Sequence, residues 1–287
     1  MTADASAHLI TPDALAELIA ASDRGGAPVR ILDVRWRLDR PDGRPDYLAG
    51  HIPGAVYVDL DQELAAHGEP TEGRHPLPST DARQASARAW GIDDGDTVVV
   101  YDDLNSLSAA RAWWLLTDAG IADVRVLDGA LRGWVASGRK LSEGAVSPRP
   151  GGVTLTRGAL PTIDLDGAAA WGDDPGAVLI DVRAGERYRG ESEPIDPRAG
   201  HIPGAINLPT TGNVDADGTF LAPDALRARF AAAGVDPEAS VAVYCGSGVT
   251  ASHAALALTL AGYRPTLYPG SWSQWSNHPD RPAATGA

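Results

Sequence analysis

The chain has 287 residues, enough for one large or two ordinary domains, and its 44% hydrophobic content lets each half bury a core. Lys and Arg number 24 against 38 Asp and Glu, a net charge of -14 that sets the surface against nucleic acid phosphates and anionic lipid. One cysteine cannot form an intramolecular disulfide, which fits a reducing compartment. In chain order, Met1 to His8 offer neither a basic start nor an apolar stretch, so no signal peptide is expected. No run approaches the roughly 18 apolar residues of a membrane helix, and the reading is a soluble cytoplasmic protein.

Thr11-Pro12 opens the first helical stretch, Pro12 to Ala21, with the hydroxyl as cap and proline in the first turn. The apolar run Ile31-Leu32-Asp33-Val34-Arg35 reads as a buried strand and returns as Leu179-Ile180-Asp181-Val182-Arg183. Ala49-Gly50-His51-Ile52-Pro53-Gly54-Ala55 returns identically at Ala199 to Ala205. Val98-Val99-Val100-Tyr101 returns as Val241-Ala242-Val243-Tyr244, and Gly129 with Trp134 as Gly270 with Trp275. Four blocks in the same order at nearly constant offset mark a tandem duplication. Strands alternating with helical stretches such as Ala251 to Ala261 predict an α/β fold in each copy, a parallel sheet covered on both faces. The expected division is residues 1–140, a linker at 141–158 rich in Ser, Gly and Pro, and residues 159–287. The histidine of the Gly-His-Ile-Pro-Gly block is read as a structural hydrogen-bonder in a turn.

Cys245 follows the strand Val241 to Tyr244 directly and precedes Gly246-Ser247-Gly248-Val249-Thr250 and a helix. Ligands of open α/β sheets bind beyond the carboxyl ends of the strands. Two glycines let the loop curl so that backbone N–H groups point at one centre, and the helix N-terminus adds partial positive charge. Both favour thiolate over thiol and make the sulfur nucleophilic. The competing reading is a small buried core residue, but strand, cysteine, Gly-rich loop and helix in that order fill a core poorly. The first copy carries Asp102 at the equivalent place, so only the second can do thiol chemistry. A cysteine phosphatase would place an arginine about six residues after its cysteine; here the sixth is Ala251, and no arginine occurs between Cys245 and Tyr263.

These residues resemble the rhodanese superfamily, specifically its tandem-domain sulfurtransferases, over almost the whole chain. Cys245-Gly246-Ser247-Gly248-Val249-Thr250-Ala251 resembles the active-site loop of 3-mercaptopyruvate sulfurtransferases, whereas thiosulfate sulfurtransferases usually carry Arg and Lys in place of Gly246 and Ser247. The resemblance implies two rhodanese-like domains, each built on a five-stranded parallel sheet, with the catalytic cysteine of the second in a cleft between them. It implies substrate contacts from Arg187, with Arg198 the nearest candidate for a second carboxylate-binding arginine in a segment that departs from the family's spacing. It also implies a proton relay of Ser247, His75 and Asp61, the last two from the first domain. Gly246, Gly248, Val249 and Thr250 would line the sulfur site with backbone N–H groups. Trp36, Trp272 and Trp275 are read as support for the cleft.

The expected reaction is a two-step transfer from 3-mercaptopyruvate through a Cys245 persulfide to cyanide, a small thiol or thioredoxin. No metal or organic cofactor is expected, since no His/Cys cluster has ligand spacing and no phosphate loop of the usual form appears. A thiosulfate:cyanide sulfurtransferase and a non-catalytic sulfur carrier or binding module are the alternatives.

Overall fold

A computed structural model describes residues 5–156 and 158–287 of the chain. Met1 to Asp4, part of the segment read for a signal peptide, and Arg157, within the expected linker, lie outside the described residues.

The first sheet holds five parallel strands, β1 (Leu9–Ile10), β2 (Val29–Asp33), β3 (Val56–Tyr57), β4 (Thr97–Tyr101) and β5 (Val124–Leu127), in the order β1-β5-β4-β2-β3. The second holds β6 (Ala177–Asp181), β7 (Ile206–Asn207), β8 (Ser240–Tyr244) and β9 (Pro265–Leu267), in the order β7-β6-β8-β9. The family resemblance implies five strands in each; among the described residues the second sheet has four. Its fifth place is taken by a single bridge from Thr162 to Leu267. Pro161, with no N–H to give, stands at the start of that segment, which bonds Leu267 only through the Pro161 carbonyl and the Ile163 N–H.

Helices flank both sheets. Pro12–Asp23 and Ala130–Ala136 help cover the outer face of the first sheet with Leu15 and Trp134; Leu165–Asp173 and Ser271–Ser276 cover that of the second with Ala168, Trp272 and Trp275. The Thr11 side chain accepts the Ala14 N–H at 3.2 Å, with Pro12 next in the chain. The inner faces share one continuous apolar cluster. It runs from Val98 and Val100 through Trp113, Trp114, Ala254 and Leu258 to Val241 and Val243. Helices Ala109–Asp118 and Val249–Leu260 form its centre, and the second is buried nearly all round, as its apolar composition requires.

The repeated motifs tie strand ends to turns. The Arg35 guanidinium grips the Asp33 carboxylate and the Gly50 carbonyl, each at 2.6 Å from Nη2; Arg183 repeats both contacts on Asp181 and Gly200 at the same distances. His51 and His201 are buried, each with Nδ1 against the carbonyl of the tyrosine on which its ring stacks, Tyr47 and Tyr188. The segment expected as linker lies along the first half. Ser142 bridges His51, the backbone of Gly151 and Val153 bonds Arg88 and Ile92, and Val153 and Leu155 are buried.

His253, inside the seam, stacks on Phe220 and places Nδ1 2.7 Å from Thr210 Oγ1. Burial pulls its pKa down to about 3. Between that value and the ordinary one near 6.5, the unfolded chain binds a proton that the folded chain refuses. Its contribution to stability is therefore complete above about pH 6.5 and falls by about 1.4 kcal/mol per pH unit below it. The unfolding free energy of wild type should lose about 2 kcal/mol relative to His253→Gln between pH 7 and pH 5. A difference independent of pH in urea titrations would contradict this origin.

Candidate active site

Strand alternation aims the cysteine. Val241 and Val243 of β8 face the seam, Ala242 and Tyr244 face away, and Cys245 continues the inward series, 2% exposed. The chain then turns through Gly246 and Ser247 to Gly248, at φ +81°, where the helix Val249–Leu260 begins. A Cβ at Gly248 would meet the Pro269 carbonyl oxygen at 2.4 Å, so both backbone angle and space demand glycine there. The Gly-Ser-Trp block brackets the loop from the other side. Ser271 Oγ accepts the Cys245 N–H at 3.1 Å, Trp272 N–H donates to the Cys245 carbonyl, and Ser273 N–H donates to that of Gly246.

Cys245 Sγ accepts the Gly248 N–H at 3.1 Å and sits at the helix N-terminus, a position of partial positive charge. The sequence expects a ring of amides, but among the described residues Gly248 alone has a recorded bond to the sulfur. Val249 and Thr250 form the first helical turn, and Gly246 faces the cleft. The equivalent loop of the first half has the fuller ring. The buried Asp102 carboxylate accepts the N–H groups of Leu104, Ser106, Ser108 and Ala109 at 2.8–2.9 Å. Burial pushes its carboxyl pKa up, and the four amides oppose that rise.

The first half supplies the next layer. His75 Nδ1 lies 2.7 Å from Ser247 Oγ, and His75 Nε2 lies 3.2 Å from Asp61 Oδ1. The imidazole meets the Trp36 indole edge to face, with centroids 5.3 Å apart. The approach of His75 holds the Asp61 carboxyl below the usual carboxylate range, against the opposing effect of burial. Ser247, His75 and Asp61 thus stand in line across the seam. Trp272 and Trp275 are buried behind the loop, with their indole N–H groups on the carbonyls of Arg198 and Pro282.

Two guanidinium groups converge over Gly246. A Cβ placed there would lie 3.5 Å from Arg187 Nη1 and 3.3 Å from Arg74 Nη2, nitrogens for which no protein partner is recorded among the described residues. Arg187 is held by Glu193 and Asp196 through Nη2, at 2.6 and 3.1 Å. Arg74 reaches the other Asp196 oxygen at 2.6 Å and anchors its own N–H on Ser273 Oγ. Asp196 therefore aligns one arginine from each half. The sequence reading missed Arg74, whose one local signal is that it precedes His75. Arg198 is a correction. Its guanidinium donates four of its five N–H groups to the carbonyls of Trp275, Ser276, His278 and Arg281 and closes the end of helix Ser271–Ser276, so no two-nitrogen fork is left for a substrate carboxylate.

Two cavities border Arg74 and His67 beside these groups. One, of about 500 Å³, runs past Arg74, Ile195, Asp196 and Ser273; the other, of about 330 Å³, runs past Trp36, Asp61, Arg74 and His75. Among the described residues no group of three or more His, Cys, Asp or Glu stands together to hold a metal, and no helix is long and apolar enough to cross a membrane.

A model of the rhodanese-like domain matches residues 11–137 and again 165–278. A Mycobacterium tuberculosis chain (strain H37Rv) named "Putative thiosulfate sulfurtransferase SseB" is 50% identical over 97% of each chain. A Pseudomonas aeruginosa chain named "Probable 3-mercaptopyruvate sulfurtransferase" is 44% identical over 98% of this chain and 99% of that one. The crystal structure of SseA from Escherichia coli, described with the 3-mercaptopyruvate sulfotransferases, superposes with a TM-score of 0.80 at 34% identity, covering 92% of this chain and 98% of that one.

Because Arg198 serves four backbone carbonyls, Arg198→Ala is expected to lower stability by about 1–3 kcal/mol while leaving the KM of an anionic donor unchanged. A raised KM at unchanged melting temperature would return Arg198 to the substrate site.

Proposed function

The chain belongs to the rhodanese family and is a sulfurtransferase, and on that premise we propose that Cys245 carries the sulfur, taken from 3-mercaptopyruvate and passed to a thiol, thioredoxin or cyanide. In the first step the Cys245 thiolate attacks the donor's sulfur. A sulfur–sulfur bond forms, the carbon–sulfur bond breaks, and its electron pair leaves as the enolate of pyruvate. Arg187 Nη1 and Arg74 Nη2, the nitrogens left over Gly246, together hold the donor carboxylate. Ser247 delivers a proton to the enolate and recovers it through His75, which Asp61 orients. In the second step the acceptor attacks the outer sulfur and Cys245 leaves as thiolate.

The Asp102 loop supports the persulfide half of this reading. A second sulfur extends the cysteine side chain by about 2 Å. That extension carries negative charge toward the place where, in the companion loop, four amides meet a carboxylate.

The names of the relatives divide between two donors, so the donor is argued from the site. The observation that carries the choice is the 2.7 Å contact of His75 with Ser247. A leaving enolate needs a proton, and sulfite leaving from thiosulfate does not. Thiosulfate remains the second reading, favoured by the two arginines over Gly246, and is expected to be the slower donor. Because Cys245 is so deeply set, cyanide and small thiols reach it most easily, and a protein thiol must arrive on a narrow projection. We take residues 1–140 as the supporting domain, 141–158 as the connection and 159–287 as the catalytic domain. The lone cysteine chemistry suits a reducing cytoplasm. The net charge of -14 argues against nucleic acid as partner. Transfer between sulfur atoms at Cys245 requires no metal or organic cofactor.

Steady-state kinetics with both donors test the assignment. The expected kcat/KM is higher for 3-mercaptopyruvate, and a higher value for thiosulfate would overturn the donor. Arg187→Lys should raise the KM for mercaptopyruvate roughly tenfold, since one ammonium cannot stay paired with Glu193 and Asp196 and also present a donor over Gly246 as the guanidinium does. An unchanged KM would remove Arg187 from the carboxylate site.

A further inference from the structure

The geometry points to Arg111 as the buried counter-charge of the Cys245 sulfur and as the tie that fixes His75 to the catalytic loop; this rests on the persulfide reading above. Arg111 stands in Ala109–Asp118, the helix of the first half that packs against the catalytic helix, and its side chain is fully buried. Its guanidinium donates to three backbone carbonyls: Leu64 at 3.2 Å, His75 at 2.9 Å and Gly248 at 3.4 Å. Among the described residues no carboxylate is recorded within ion-pair distance of it.

A buried cation with only carbonyl partners needs an anion nearby to justify its charge. Burial pulls the Arg111 pKa down to about 10; the attraction of Cys245 opposes that fall, and Arg83 adds a little to it. Arg83 is itself paired with Asp118 at 2.6 Å. Gly248 stands between the two charges, its carbonyl on Arg111 and its N–H on Cys245 Sγ. The other charged groups facing the sulfur are at the cleft. They are His75 through Ser247 with Asp61 behind it, and Arg74 and Arg187, both already engaged by Asp196 and Arg187 also by Glu193. Asp61, Arg74 and Arg187 are partly exposed, so water screens them. Arg111 acts from the dry seam, where the same charge is felt more strongly. It is a positioning residue, touching neither donor nor acceptor. The same side chain holds the His75 carbonyl, so a single fork sets both the charge on the sulfur and the place of the imidazole.

The test is the rate of iodoacetamide alkylation of Cys245 against pH in the full chain. In Arg111→Met the midpoint should lie at least one pH unit above wild type, giving roughly tenfold slower alkylation at neutral pH. Arg111→Lys, which keeps a charge, should recover at least half of that shift while kcat stays low because His75 has lost its fork. A folded Arg111→Met protein, judged by near-UV circular dichroism, with the wild-type midpoint would overturn the inference. Should Arg111→Met not fold, Cys245→Ser decides. Its hydroxyl stays neutral, so its melting temperature should fall below wild type only above the wild-type alkylation midpoint; a gap independent of pH overturns the inference. Wild-type protein that accepts no sulfur from donor would instead sink the persulfide reading itself, whatever Arg111 does.

Discussion

A negative charge at the carboxyl end of a central parallel strand, met by amides turned inward from the next loop, is the constraint from which both halves of this molecule follow. In the first half the charge is the Asp102 carboxylate, closed over by four N–H groups. In the second it is assigned to Cys245, with the Gly248 amide already on the sulfur. The same strand alternation points both residues into the seam, but the loops differ: six residues separate Asp102 from helix Ala109–Asp118, and three separate Cys245 from helix Val249–Leu260. Aspartate fills its nest permanently and can take no sulfur.

Duplication then freed the first half to serve the second. It contributes His75 and Asp61 beside Ser247, Arg74 over Gly246, and Arg111 beneath Gly248. None of these could be held in register by a flexible pair of domains. The continuous apolar cluster between the sheets supplies the rigidity, and the segment after Leu141, strapped along the first half, limits how the halves can shift. Packing in the seam and chemistry in the cleft are thus two ends of one arrangement: the helices that carry Arg111 and follow Gly248 are those that bury most against each other.

Local pattern sufficed for the repeat, the strands ending at Asp33, Tyr101, Asp181 and Tyr244, the capped first helix and the cysteine loop, because each is written in neighbouring residues. The line of Ser247, His75 and Asp61 came only from family resemblance, and the chain distance between Ser247 and His75 explains why spacing alone is silent. Arg74 was invisible for the same reason, its partners Asp196 and Ser273 lying in the other half; those of Arg111, Leu64 and His75 in its own half and Gly248 in the other, are likewise far along the chain. Arg198 shows the opposite failure. Its position in the sequence suits a carboxylate reader, but sequence position does not say where a side chain points, and the carbonyls at and beyond the end of a short helix claim four of its five donors. The missing fifth strand of the second sheet turns on a proline whose effect depends on its neighbour across the ladder.

The central claim is that one sulfur atom rests on Cys245 between two half-reactions. Mixing the protein with one equivalent of 3-mercaptopyruvate, without acceptor, and following intact mass and pyruvate together tests it directly. The account predicts one pyruvate per chain and a mass gain of one sulfur atom confined to the peptide containing Cys245, discharged on adding cyanide. Pyruvate without that adduct, or an adduct that no acceptor removes, would contradict it.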